Sequence, residues 1–344
     1  GEARARAIGA YSMILAAGVA AGQILGGLVV SMHLIAAAWR PALLLNAPVG
    51  IVLLLVARRG LPAREKQVRR RLDFGGVAVL TAAALALVVP LTFGRDAGWP
   101  AWVWPSFAFS LLALAGFAAV ERGVTERGGH PLLDLDLLRS TGIAAGVLAV
   151  ALLMGCYSGF LLSLTLHLQN GLGFGPLHAG LIFAVYASGF ATASLTWTRA
   201  GTAVRDRLPV AGPLVMASAL LAVGLVANGG GWPAAATLPL LFAGGVGHAW
   251  GFSPLASRMT ARVRTGQAAD MSGLVLTASL VGNVLGTAGF VGIYLAHAPS
   301  GSAHALEVTT IAIAAALAFT AVCGFRALAP ARHACGAKAE MVRT

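Results

Sequence analysis

The chain has 344 residues, 58% of them hydrophobic and only 10% charged, and its mean hydropathy is +0.82. A water-soluble domain devotes roughly 25% of its residues to charge, so a soluble fold is excluded and an all-α polytopic membrane protein is expected. The net charge of +12 lies in short segments between apolar runs, which fits loop asymmetry across a lipid bilayer and excludes a nucleic-acid surface as its reason.

A helix needs about 20 apolar residues to cross the hydrocarbon core. Ten runs meet that need: 8–31, 41–58, 74–94, 102–120, 142–166, 178–198, 209–228, 235–256, 271–296 and 307–325. Turn and charge signals such as "GRDAGWP", "GLGFGP" and "NGGGWP" separate them. With a cytoplasmic N-terminus, every Lys and Arg except Arg40 and Arg95 falls on the inner side. One missed span would scramble that alternation. Both ends are therefore expected in the cytoplasm, with the protein in the cell membrane.

The first run, "GAYSMILAAGVAAGQILGG", carries five glycines despite their cost in a helix of about 1 kcal/mol each against alanine. In lipid, helices approach closely where small residues line one face. Gly18, Gly22 and Gly26 recur every four residues and form such a face, which Gly27 widens. Gly9 lies on the opposite side. Gln23 has several readings: a hydrogen bond between helices, a substrate contact, or a relaxed motif.

Polar residues within later runs are few. Asn46 stands near Pro48, Gln169 lies just beyond the external end of the fifth run, His248 lies inside the glycine-rich eighth and Asn283 lies between Gly282 and Gly286 in the ninth. His248 is the protonatable group best placed for a relay, since imidazole titrates near neutral pH; a hydrogen-bonded packing role is the alternative. No Asp or Glu falls in the middle of a run. Asp206 and Arg207 of "GTAVRDRLP" fit either a gating loop or a helix cap. Cys156, Cys323 and Cys335 lack metal or redox spacing and are expected to be structural. No metal or cofactor is expected. An intramembrane enzyme would need clustered acids, bases or nucleophiles, and a channel would need a filter motif; neither pattern is present in the sequence.

The spacing Gly9–x8–Gly18–x3–Gly22–Gln23–x2–Gly26–Gly27 resembles the antiporter motif of the major facilitator superfamily, with Gln23 in place of its proline. "WRPALLLNAPVGIVLLLVARRGLP", "LDFGGVAVL", "PLLDLDLLRS", "LHLQNGLGFGPLHAGL", "GGVGHAWGFSP" and "SGLVLTASLVGNVLG" resemble, in order, later stretches of the fourteen-span drug:proton antiporters. The ten runs would then correspond to spans five to fourteen. The resemblance implies two N-bundle spans (1–58), a basic cytoplasmic loop (59–73), two additional central spans (74–120), a linker (121–141), a six-span C-terminal bundle (142–325) and a tail (326–344). It implies export of small hydrophobic or cationic compounds by alternating access, driven by a proton gradient without a cofactor, with protons and substrate as partners. The alternative is an inactive or split-carrier fragment lacking the first four spans. The first helix is expected to pack on residues 178–198, where Ala184, Ser188 and Ala191 form a small-residue face. Asn46, Gln169, His248 and Asn283 are the candidates for a substrate or proton path.

Overall fold

The computed structural model describes residues 18, 21–22, 25–32, 39–60, 74–94, 97–126, 136–139, 142–229, 231–263 and 267–328. Gly9, Gln23, Cys335, most of the basic loop and the tail beyond residue 328 lie outside the described residues. Every regular element described is helical: α1 (Trp39–Leu44), α2 (Asn46–Gly60), α3 (Phe74–Phe93), α4 (Val103–Glu126), α5 (Asp136–Arg139), α6 (Ile143–Leu166), α7 (Pro176–Thr196), α8 (Thr202–Asn228), α9 (Ala234–Ala261), α10 (Ala268–His297) and α11 (Ser302–Ala327). A further helical stretch covers 25–31.

Among the described residues, six segments are long and apolar enough to cross a membrane: Val103–Glu121, Ile143–Gly171, Pro176–Arg199, Thr202–Asn228, Asp270–Ser300 and Ser302–Ala327. The apolar part of α3, Gly75–Leu91, is shorter. Helix α9 has 28 residues, ample length, but a less apolar composition. The reason lies in its burial. Gly244, Gly245, Gly247, His248, Gly251 and Pro254 all sit inside the bundle, where packing rather than lipid affinity selects them.

Helices α6 to α11 form one bundle. α6 packs along α10 and α11, α8 along α9 and α11, and α7 along α9. Exchanging the triplet α6–α8 with α9–α11 maps these pairings onto themselves: α6 with α10 becomes α9 with α7, and α8 with α9 becomes α11 with α6. Triplets have an odd number of spans, so consecutive triplets run with opposite topology, as in the nested inverted repeats of secondary transporters. The core holds Phe160, Leu164, Met216, Leu220, Leu241 and Ile313, all nearly without exposure. α3 and α4 pair as a hairpin whose first helix touches α10.

Helix boundaries follow local chemistry. Between α6 and α7 the backbone widens into a π turn, His167–Gly171, then reverses through Gly173 at φ +71°. Left-handed φ favours glycine. Pro176 then starts α7, where its missing N–H costs no hydrogen bond. α8 begins at Thr202, seven residues before the apolar run at 209, and carries Pro209 and Pro213 inside it. The expected span 41–58 is interrupted at Leu45, where α1 gives way to α2.

Candidate functional site

Glycine makes several helix crossings, among them α8–α9, where a Cβ on Gly212 would strike the Gly251 backbone, α7–α9 and α6–α10. At the α7–α9 crossing, a Cβ on Gly245 would strike the Tyr186 carbonyl, and one on Gly189 would strike the Phe242 carbonyl. At the α6–α10 crossing, a Cβ on Gly286 would strike the Gly155 backbone, and one on Gly282 the Ala151 carbonyl. The repeat exchange interconverts the α7–α9 and α6–α10 crossings.

The same offsets from these glycines carry polar groups. His248 follows Gly245 by three residues and Tyr186 precedes Gly189 by three; Ser158 follows Gly155 by three and Asn283 precedes Gly286 by three. Each set is joined by a hydrogen bond. Tyr186 Oη and His248 Nδ1 are 3.1 Å apart, and the Ser158 hydroxyl donates to the backbone carbonyl of Asn283 at 2.8 Å. The two pairs are linked through α6. Tyr157, next to Ser158, stacks on Tyr186 with ring centroids 5.7 Å apart and tilts over His248 at 4.8 Å. Phe190 covers another side of His248 at 4.9 Å, and the Tyr186 hydroxyl also approaches Met216 Sδ at 4.0 Å. His248 and Tyr186 are each 4% exposed.

Two buried polar atoms of this cluster lack a partner among the described residues: His248 Nε2 and Asn283 Oδ1. Buried polar atoms are normally satisfied, so an orphan asks for an explanation. Beside the α6–α10 crossing lies an apolar cavity of about 320 Å³, lined by Leu148, Leu152, Cys156, Leu285, Phe290 and Ile293 among others. Its size suits a small hydrophobic ligand.

The other predicted residues are placed apart. Asn46 is the exposed first residue of α2. Gln169 lies in the π turn. His167, in the same turn, is buried, with Nδ1 3.2 Å from Ser302 Oγ. On α7, Ala184 and Ala191 are half-buried and Ser188 is exposed, on the side turned away from the bundle core. Cβ positions at Gly18, Gly22 and Gly26 meet no described atom within 4 Å. Gly27 does approach this helix: its Cβ position is 2.8 Å from the Pro176 carbonyl and 3.2 Å from Leu177 Cα, at the start of α7. Asp206 is not a helix cap. It lies within the first turns of α8, because that helix starts early, and it pairs with Arg258 near the end of α9. Sequence reasoning singled out His248 and Asn283 but missed Tyr157, Tyr186, Phe190 and Ser158. The signal that could have found them is the shared glycine offset in α6 with α9 and in α7 with α10.

Membrane-length helices paired as exchanged triplets, with polar groups held at the crossings, have the architecture of transporter bundles, which keep their sites where repeats meet near mid-bilayer. The chain belongs to the Major Facilitator Superfamily, whose model matches residues 1–287, and it is a multi-pass membrane transporter rather than an enzyme. It is 37% identical over 177 residues to the probable actinorhodin transporter of Streptomyces coelicolor, covering 52% of this chain and 31% of that protein. It is 33% identical over 182 residues to the tetracenomycin C resistance and export protein of Streptomyces glaucescens, covering 51% and 31%. It is 28% identical over 302 residues to the drug efflux pump JefA of Mycobacterium tuberculosis, covering 85% and 56%. The chain thus spans between about a third and just over half of the length of these relatives.

Proposed function

We propose that the protein exports small hydrophobic or cationic compounds across the cell membrane in exchange for protons, with both of this chain's ends in the cytoplasm. The observation that supports it most strongly is the family match, joined by relatives named as an antibiotic exporter and a drug efflux pump. The apolar cavity between α6 and α10 suits such cargo, and the repeat-paired bundle is built to rock as a unit. The antiporter-motif glycines of the first helix are proposed to close on Ala184, Ser188 and Ala191 in one state of that cycle. Ser188 is exposed and Ala184 and Ala191 are half-buried among the described residues, which leaves part of this face open to receive them.

One observation favours a second reading, an inactive or split-carrier fragment. α2 buries none of its residues, and its Ile51, Leu53 and Val56 are each more than half exposed. Such a helix needs lipid or further spans around it.

Expression from the complete gene in a bacterial host stripped of its own pumps tests the proposal. Resistance to ethidium and tetraphenylphosphonium is expected to rise severalfold. Unchanged susceptibility, with the protein present in the membrane, would contradict export and leave the fragment reading.

A further inference from the structure

His248 lies halfway along α9, so its ring is about 20 Å from either end of the helix. That places it near mid-bilayer. No water-facing atom solvates it, since the side chain is 4% exposed and Nε2 is sealed without a partner among the described residues. The groups that face it are Tyr157 from α6, and Tyr186 and Phe190 from α7; the Met216 sulfur of α8 lies behind the Tyr186 hydroxyl. Cys156, beside Tyr157, is the other titratable group near by, and its thiol points to the Ile313 carbonyl. No carboxylate or cation is paired with the imidazole among the described residues.

The neutral ring has two tautomers here. In one, the Tyr186 hydroxyl donates to Nδ1 and an Nε2–H has no acceptor. In the other, Nδ1–H donates to Tyr186 Oη and the Nε2 lone pair is empty of donors. An unmet polar atom in so apolar a place costs about 1–3 kcal/mol, so Nε2 calls for a partner beyond the described residues. Protonation in the closed arrangement does not cure this, because an unpaired charge in an apolar site costs more than one unmet polar atom; the ring can take a proton only with water admitted to Nε2. A proton added to the free lone pair makes both nitrogens donors: Nδ1–H to Tyr186 Oη, and an Nε2–H without an acceptor among the described residues, with the Tyr157 and Phe190 rings near the imidazole. Both ring centroids lie within the roughly 6 Å over which an aromatic face attracts a cation.

The repeat exchange sharpens this. At the α6–α10 crossing, which the exchange pairs with this one, the Ser158 hydroxyl donates to the backbone carbonyl of Asn283. One copy of the crossing is therefore polar without a titratable group, and the other carries an imidazole. Gly189 and Gly245 bring the α7 and α9 backbones into contact beside the ring.

We propose that the Tyr186–His248 pair is the proton-binding site of this transporter, loaded when the α7–α9 crossing opens to water on one side of the membrane and discharged when it opens on the other. One proton enters on His248 Nε2 and the same proton leaves; Tyr186 orients the ring through Nδ1. The inference rests on the proton-coupled export reading for its use, but the protonation itself is read from the histidine spectrum rather than from drug movement.

The test uses the protein expressed from its complete gene, labelled with 15N-histidine and placed in lipid vesicles. Signals of His248 are identified by their loss in His248→Gln. Imidazolium signals are expected to grow in as the pH is lowered from about 8 once ethidium or a pH gradient drives the transport cycle, and Tyr186→Phe is expected to move their midpoint. A His248 that stays neutral over the whole range, with or without ethidium, overturns the proposal. In everted vesicles, His248→Gln is expected to keep downhill ethidium movement and lose gradient-driven accumulation; full accumulation in that variant also overturns it. If His248→Gln does not fold, the wild-type and Tyr186→Phe spectra decide, by the presence or absence of a histidine midpoint that Tyr186→Phe moves. If the wild type moves no ethidium, the export reading fails while the spectra still judge the proton site.

Discussion

A methyl group at Gly245 or Gly286 has nowhere to go, because the nearest atoms are backbone carbonyls of the facing helix rather than yielding side-chain ends. Gly286→Ala is expected to destabilise the bundle by about 1–3 kcal/mol, the usual cost of overpacking. Gly116 in α4 faces no described atom within 4 Å. Gly116→Ala should be neutral or stabilise by about 0.5–1 kcal/mol, because it removes only the cost of glycine in a helix. Thermal unfolding of the two variants in detergent, followed by size-exclusion, checks the contrast; equal losses would mean that the crossings are looser than described. At this scale the sequence was partly legible. A histidine and an asparagine stand out inside apolar runs, so His248 and Asn283 were visible. Tyr157 and Tyr186 were not, since an aromatic residue in a hydrophobic helix reads as core, and the partner that makes Tyr186 polar lies 62 positions away.

Pairs of helices carry the next set of consequences. Arg258 and Asp206 tie the end of α9 to the start of α8, with side chains 31% and 63% exposed. An ion pair this open is worth at most about 1 kcal/mol. Asp206→Asn is thus expected to lower stability by no more than that, with the loss shrinking as salt rises; a loss of several kcal/mol by denaturation would show that the pair is shielded. The antiporter-motif helix offers a second test. If Gly22 closes on Ser188 during transport, the double variant Gly22→Cys, Ser188→Cys should form a disulfide under mild oxidation, since bridging needs Cα atoms within about 7 Å. Addition of ethidium should change its rate. An absence of cross-linking under all conditions, with both thiols labelled by maleimide, would remove that contact from the cycle. Element order was legible because apolar runs of membrane length are hard to mistake. Boundaries were less so: α8 starts early because Thr202–Leu208 continues the helix beyond the apolar run, which hydropathy does not register.

The bundle as a whole is two exchanged triplets, and this was the least legible level. Hydropathy gives spans but not pairings, and the glycines that set the crossings are scattered among many that make no contact. What the symmetry adds is a reason for the chemistry to be unequal. One crossing holds Ser158 and Asn283, the other Tyr186 and His248, so a proton on the second would bias one triplet against the other. The central claim is export driven by protons, and it is tested most directly in everted membrane vesicles containing the protein expressed from its complete gene. An acid-inside gradient is imposed and ethidium fluorescence is followed. Accumulation that rises with the gradient and collapses on addition of a protonophore is the expected result. Ethidium distribution identical to that of vesicles lacking the protein, at every gradient, would contradict it.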